Sequence, residues 1–306
     1  MGTLKYTNKA ISVSKQILLL QERGVLIDDF DFAEKVLTNV SFYRFKAYLV
    51  PFLKNDGTQN YILGTSFFKA WQYYDFDAKL RSCVMEAIEQ VEVAIKTRMV
   101  NYLSYKYGAY AYKNTSIFAN PFKLATYKKL FSTVDETIKK SSDEALKAFC
   151  EKYCKEEGLP IWIIAEFMTF GNMVTFFRLL KKSDKEALAN FFDASAVILE
   201  SYLANLNYIR NICAHNERLW NRLIAIKATI PKKDERWHEE KFPVNERRIY
   251  SSLCILKVLL DKIVEKSDWK NNLYLLLQEF PMIHRKSMGI PDGFKNSRIW
   301  NECDNE

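Results

Sequence analysis

The chain has 306 residues, of which 48% are hydrophobic and 14% aromatic, with a formal net charge of +8 and a pI near 9.0. That much apolar side chain excludes a disordered polymer and suffices for one large domain or two modest ones. The basic balance tilts toward an anionic partner, but the excess is dispersed in short clusters such as Lys139-Lys140, Lys181-Lys182, Lys232-Lys233 and Arg247-Arg248. It therefore permits nucleic-acid binding without establishing it.

The first ten residues, Met1 to Ala10, carry no apolar core and do not read as a signal peptide. Met1-Gly2 is followed by Tyr6 where a myristoylation signal needs Ser or Thr. No apolar run approaches the ~20 residues needed to span a bilayer. With no partner histidines at zinc spacing, the cysteines (Cys83, Cys150, Cys154, Cys213, Cys254, Cys303) read as reduced thiols, and a cytoplasmic location is expected.

Over residues 8–23, Ile11, Val13, Ile17, Leu18 and Leu20 form a loose helical stripe that Gly24 ends in a left-handed cap. Asp31 is expected to cap a short helix running to about Asn39. Tyr43, Phe45 and Tyr48, with Arg44 and Lys46 among them, read either as an aromatic-packed helix end or as a basic-aromatic strip for RNA. Thr65-Ser66 then start a long helix over about 67–107, with Ile88, Val91, Ile95 and Met99 on one stripe and Glu92–Lys96 at i,i+4.

Pro121 opens the next helical stretch, to about Lys140, and Ser141-Ser142-Asp143 start the helix that carries Cys150 and Cys154. Gly158-Leu159-Pro160 break it, with Pro160 in the first turn of a nearly all-apolar helix over Ile161–Phe177. Glu166 is the one acid in that helix. An acid buried there would need a cation or a polar cleft. Helices over about 184–192 and 195–212, a charged loop over about 230–243 and a strong helix over about 246–265 complete the pattern. With only 9 Gly and 7 Pro, no strand-like alternation and no repeat, the fold class is all-α.

The most informative stretch is Arg210-Asn211-Ile212-Cys213-Ala214-His215. Arginine supplies a permanent charge on a planar fork of donors that matches a phosphate. Histidine exchanges protons near neutral pH. Together they could cleave an RNA phosphodiester: His215 activates the 2′-hydroxyl and Arg210 steadies the charge growing on the phosphate. The plainer alternative is a solvated arginine and a histidine with an ordinary polar contact. Two features count against it: the chain has three histidines in all (His215, His238, His284), and Asn205, Asn207, Asn211 and Asn216 crowd the same stretch. On an ideal helix of ~3.6 residues per turn, positions five apart lie about 140° apart around the axis. The two groups then meet on one phosphate only if the helix kinks or ends between them, or if a second subunit supplies one of them.

The segment resembles the R-N-x-x-A-H signature of HEPN-type ribonucleases, in particular the Abi-like (abortive infection) branch of bacterial phage-defence proteins. The resemblance extends to Lys15–Leu20, Arg23-Gly24, Phe42–Tyr48, Phe67–Arg81, Ile88–Glu92, Pro160–Glu166, Phe170-Gly171 and Asn245–Tyr250, in that order over about residues 12–265. It implies a HEPN-type helical bundle over about 66–270 with an N-terminal helical extension over 1–65, and a tail over 271–306 packed on or extending the bundle.

It further implies an endoribonuclease that needs neither metal nor cofactor, leaves 2′,3′-cyclic phosphate and 5′-hydroxyl ends, and pairs its motifs across a homodimer. Arg210 and His215 are the expected catalytic pair. Asn211, Asn216 and Glu166 are candidate supporting residues, with Glu166 holding Arg210 or His215, and Arg44 and Lys46 are candidate RNA contacts. The rival readings are a non-catalytic protein that forms a ribonucleoprotein with a structured non-coding RNA, and a purely structural or protein-binding helical chain.

Overall fold

The computed structural model describes residues 9–119, 124–153 and 158–301. Among these residues there is no strand, only three isolated bridges, and the chain is all-helical. It forms two compact units: residues 1–80 with 276–283, and residues 81–275 with 284–306.

The first unit begins with α1 (Val13–Glu22), α2 (Phe30–Asn39) and α3 (Phe42–Leu49). Each starts on a side chain that accepts an otherwise orphaned amide: Ser12 from Lys15 N at 3.3 Å, Asp29 from Phe32 N at 2.8 Å, Ser41 from Arg44 N at 3.4 Å. The cap of α2 is thus Asp29, and Asp31 lies inside the first turn; between two nearby aspartates, the one preceding the apolar run takes the cap. Gly24 closes α1 with φ +94°, a left-handed conformation that costs glycine little. Ile17, Leu20, Ala33, Val36, Leu37, Phe45 and Leu49 form one core with Phe67 and Ala70, the opening turn of α4 (Phe67–Tyr107).

The part of α4 up to Leu80 belongs to this unit because its side chains are spent here. Phe67 stacks on Phe45 at 4.4 Å, Tyr73 meets Phe52 edge-on at 5.5 Å, and Asp77 accepts from the Tyr48 hydroxyl at 2.6 Å. Where the sequence suggested a boundary at 65/66, the compact units divide between Leu80 and Arg81. From the tail, Phe280 packs on Phe76 at 5.6 Å and the Met282 carbonyl accepts from Tyr73 at 3.0 Å.

The second unit holds the rest of α4, then α5 (Leu124–Lys139), α6 (Glu144–Lys152), α7 (Ile161–Glu166), α8 (Phe170–Leu179), α9 (Lys182–Asn190), α10 (Ala196–Ala214) and α11 (Ile249–Ile263). α12 (Trp269–Glu279) and α13 (Arg298–Asn301) follow. Pro121 and Cys154 lie outside the described residues. The single helix expected over Ile161–Phe177 is two. Thr169 accepts from Asn172 N at 3.2 Å while the Asn172 side chain accepts from Thr169 N at 3.0 Å, a reciprocal cap that restarts the chain at Phe170.

α10 packs against α8, α9 and α11, and α11 is buried on nearly every side from Ile249 to Leu260. The tail completes this core: Trp300 donates to Cys254 Sγ at 3.4 Å and stacks on Tyr250 and Trp269. Burial pushes the Cys254 and Cys83 thiols up to about 12, which keeps them protonated and inert.

A second polar anchor sits where α4 meets α9. The Asp184 side chain is fully buried and accepts from Tyr102 (2.8 Å), Lys106 (2.7 Å) and Tyr107 (2.9 Å). Burial alone would raise its pKa, but these three donors outweigh it and hold the carboxyl below the ordinary value.

Candidate functional site

The last turns of α10 carry the Arg–His pair. Ser195 starts the helix by accepting from Ile198 N at 3.4 Å, and apolar residues including Leu199, Leu203, Leu206, Ile209 and Ile212 bury one broad face. The helix ends in a complete left-handed cap: Asn216 N donates to Cys213 O at 3.0 Å and Glu217 N to Ile212 O at 2.9 Å, with Asn216 at φ +53°. Asn216 is therefore the residue that turns the chain out of α10. Asparagine is among the few non-glycine residues that accept that conformation readily.

α10 ends at Ala214 and His215 is its C-cap, with φ −89° and ψ 9°, yet its N–H still donates to Asn211 O at 3.0 Å, so the chain follows the helical path up to His215 without a kink. In a single chain the ~140° separation expected from helix geometry is therefore largely kept. His215 is exposed, and its imidazole makes no hydrogen bond with the described residues. Arg210 is half-buried between Ile209 and Asn211, and its Nε is buried without a hydrogen-bond partner. No donor of its guanidinium is committed to another described residue, and with Nε itself buried the four N–H groups of the two terminal nitrogens are those left to meet a ligand.

Besides Asn216, Asn205 has architectural work. Asn205 is fully buried, donates to Ile226 O at 2.7 Å and accepts from Ser252 Oγ at 2.8 Å, tying α10 to the following loop and to α11. Asn207 stands beside Gly171 of α8, where a Cβ on the glycine would meet its Oδ1 at 3.5 Å, an ordinary van der Waals distance. Asn211 is exposed one residue after Arg210.

Glu166, expected in an apolar helix and hence in need of a partner, is exposed. α7 ends at it, so its carboxylate reaches solvent, and it forms no hydrogen bond or ion pair with a described residue. The acid on which the charge of Arg210 acts is instead Glu92 on α4, half-buried beside Val91. Burial pushes its carboxyl up, Lys96 and Arg210 pull it down, and Glu89 pushes it up again; the net effect is upward. The sequence carried a signal for it: Glu92 lies four residues after Ile88 and three before Ile95, at the edge of a stripe whose members are buried.

Beyond the helix, Arg222 Nη1 pairs with Glu217 at 2.8 Å and donates to Arg218 O at 3.2 Å, and Arg248 donates to Asn221 at 3.1 Å. The loop after His215 is thus held by arginines.

In the first unit, α3 divides the basic-aromatic strip. Phe45 and Tyr48 are core residues, while Tyr43 and Arg44 are exposed and Lys46 is half-buried.

A family model described as Abi-like protein matches residues 35–221, more than half of the chain. The chain belongs to the Abi-like protein family. No curated protein and no solved structure matches it. The Abi-like match runs from within α2 to the loop after α10, so it contains Arg44, Lys46, Glu92, Glu166, Arg210, Asn211, His215 and Asn216; α11 to α13 lie beyond it. Membership in the Abi-like family supports a role in abortive infection, a form of phage defence. Among the described residues no helix is long and apolar enough to cross a membrane, and no group of three or more His, Cys, Asp and Glu is placed to hold a metal.

Proposed function

We propose that this Abi-like protein is a HEPN-type endoribonuclease that cleaves RNA without a metal, by Arg210 and His215. The observation that carries the reading is Arg210 itself: a half-buried guanidinium with a buried, unbonded Nε and no committed donor, five residues from an exposed imidazole. Keeping a cation partly desolvated with its hydrogen bonds unmade is costly unless a ligand completes them, and a phosphate matches that fork.

In the reaction, neutral His215 takes the proton of a 2′-hydroxyl. The 2′-oxygen bonds to phosphorus and the bond to the 5′-oxygen breaks, giving a 2′,3′-cyclic phosphate. The leaving oxygen takes a proton from an imidazolium or from water. Arg210 pairs with the non-bridging oxygens as their charge grows, and Asn211, exposed beside it, orients the phosphate. Because Arg210 and His215 diverge around α10, the working pocket takes Arg210 from one protomer and His215 from its partner in a two-fold dimer. Arg44 and Lys46 extend the contact to RNA backbone.

The test is incubation of purified protein with cellular RNA in EDTA, followed by end mapping. Cyclic phosphate ends that vanish in Arg210→Ala and in His215→Ala support the reading; activity that chelation abolishes and magnesium restores refutes it. The divergence of the pair also favours a second reading, in which Arg210 grips a structured non-coding RNA and no bond is broken. Then Arg210→Ala releases co-purifying RNA, His215→Ala does not, and no cyclic phosphate ends form. Under either reading, affinity should fall steeply with salt as phosphate contacts release counterions.

A further inference from the structure

We infer that the C-terminal end of α4, the turn after it and the start of α9 form a second RNA-binding surface, away from Arg210. Lys106, Lys113 and Lys181 meet phosphates there, and Tyr105 stacks on a base of a single strand. That the strand is RNA rests on the proposed function; the surface itself does not. It lies beside the first turns of α10, where Lys185 of α9 pairs with Glu200 at 2.9 Å. Arg210 stands ten residues later on the same helix, about 15 Å further along its axis.

The first observation is in the sequence. From Val93 to Val134 there is no Asp or Glu, although acids make up 37 of the 306 residues, and seven Lys and Arg and six Tyr fall in the same stretch. The positive charge here comes from missing acids rather than from clustered lysines, so no basic run marks it.

The second is how the lysines are held. Elsewhere in this unit basic side chains end on carboxylates: Arg178 and Lys185 on Glu200, Lys227 on Glu246, Lys262 on Asp193. Here rings do much of the holding. Lys106 and Lys181 lie over the Tyr107 ring, with Nζ 5.3 and 5.2 Å from its centroid, and Lys113 lies 5.4 Å from that of Tyr110. A ring attracts an ammonium without cancelling its charge. The carboxylate among them, Asp184, is fully buried and shared by Tyr102, Lys106 and Tyr107, so it offsets one charge of the three. Hydrogen bonds, from Lys106 to Asp184 and from Lys181 to Tyr107, raise both lysines above the ordinary value and keep them protonated.

The third is Tyr105, 97% exposed beside Lys106 and without a hydrogen bond to any described residue. A bare ring among cations suits a nucleic-acid base whose face is free, as in a single strand. An anionic bilayer would call for apolar side chains that insert, and of the rings here only Tyr105 stands clear. The backbone beneath is pinned: Lys181 N donates to Ile117 O at 2.8 Å, Ala119 N to Leu179 O at 3.0 Å and Ile161 N to Ala109 O at 2.8 Å. Little ordering is therefore lost on binding.

The test uses full-length protein carrying Arg210→Ala and His215→Ala, so that the probe stays intact. The probe is a fluorescent oligoadenylate RNA of about 15 nucleotides, within the span of one single-strand site. Adding Lys113→Gln and Lys181→Gln should weaken binding and lower the salt slope by about 1.4, at ~0.7 per lost phosphate contact. Adding Tyr105→Ala instead should weaken binding about tenfold and leave the slope unchanged. Tyr105 and Lys113 are exposed, so their variants should melt with the parent. If Lys181→Gln lowers the melting point, Lys113→Gln alone decides, with a slope change of about 0.7.

Variants that bind the strand as the parent does, with the same salt slope, overturn the surface. So does a parent that ignores the strand and binds phosphatidylserine vesicles. Loss of binding in these variants, beside a wild-type protein that cleaves no RNA, upholds the surface and sinks the ribonuclease reading instead.

Discussion

Replacing Arg210 by alanine should separate function from folding, and the structure sets both magnitudes. The side chain is half-buried, so truncation strips apolar cover of order two methylenes, about 1.5 kcal/mol at ~0.8 kcal/mol each. Against this, the variant no longer buries an Nε–H without a partner, a desolvation burden of about 1–3 kcal/mol. The two effects oppose each other and are of similar size, so the net change in stability should lie within about 1 kcal/mol. For a unit of this size that is a shift in Tm of no more than about 4 °C. Loss of one charge-stabilising donor from a transition state costs about 10²–10³ in rate.

Thermal unfolding and cleavage of a labelled RNA in EDTA should therefore disagree sharply for Arg210→Ala. His215→Ala should behave likewise, since its exposed ring contributes little to the core. The double variant should be no worse than either single one, because groups acting on one phosphate behave as a unit. An Arg210→Ala protein that melts some 10 °C early, with activity lost only in step with the folded fraction, would refute the reasoning.

Asn205→Ala should do the reverse, costing about 3 kcal/mol in urea unfolding because Ile226 O and Ser252 Oγ both lose a buried partner, while the folded fraction still cleaves. Asn216→Gly should preserve folding and cleavage, since glycine accepts φ +53° without strain, whereas Asn216→Val should lose about 1–2 kcal/mol. An inactive but stable Asn216→Gly would mean that the amide contacts RNA. Asp184→Asn should destabilise at neutral pH by about 1–3 kcal/mol, because Tyr102 and Tyr107 lose a charged acceptor while the exposed Lys106 stays solvated. Because the Asp184 pKa is lowered in the fold, its contribution is present above the unfolded value near 3.9 and fades as pH falls through the folded one. Melting curves of the two proteins should thus converge in acid.

The long elements were legible because their signals agree. Ser66 before Phe67 and the stripe through Met99 gave α4 its bounds, and Gly24 marked the end of α1. What was missed lies where every residue is apolar or where two signals compete. Over Ile161–Phe177 the hydrophobic run has no period, so the cap at Thr169 and Asn172 inside it was invisible to pattern, and the exposure of Glu166 followed from that missed break. Phe45 and Tyr48 carry the same side chains whether they pack or stack on bases; only their burial and the Tyr48–Asp77 bond decide. Asn205 and Asn211 are identical in sequence terms as well, yet one is a buried strut and the other a surface amide six residues on.

The cap at Asn216 makes the five-residue spacing consequential. A helix broken between Arg210 and His215 could aim both at one phosphate. One that continues through Ala214 keeps them on different faces, and on the proposed reading a working pocket then draws on a second copy. In a two-fold dimer each pocket then pairs Arg210 of one protomer with His215 of its partner. Mixing Arg210→Ala and His215→Ala protomers tests this directly. Each heterodimer contains one pocket with neither group and one with both. If protomers exchange at random, half of the dimers are mixed and half of their pockets are intact, so activity should return to about a quarter of wild type from two inactive parents. If each chain builds its own pocket, every pocket in the mixture lacks one group and nothing returns. A mixture that exchanges subunits, as shown by mass spectrometry, and stays silent would overturn the composite pocket.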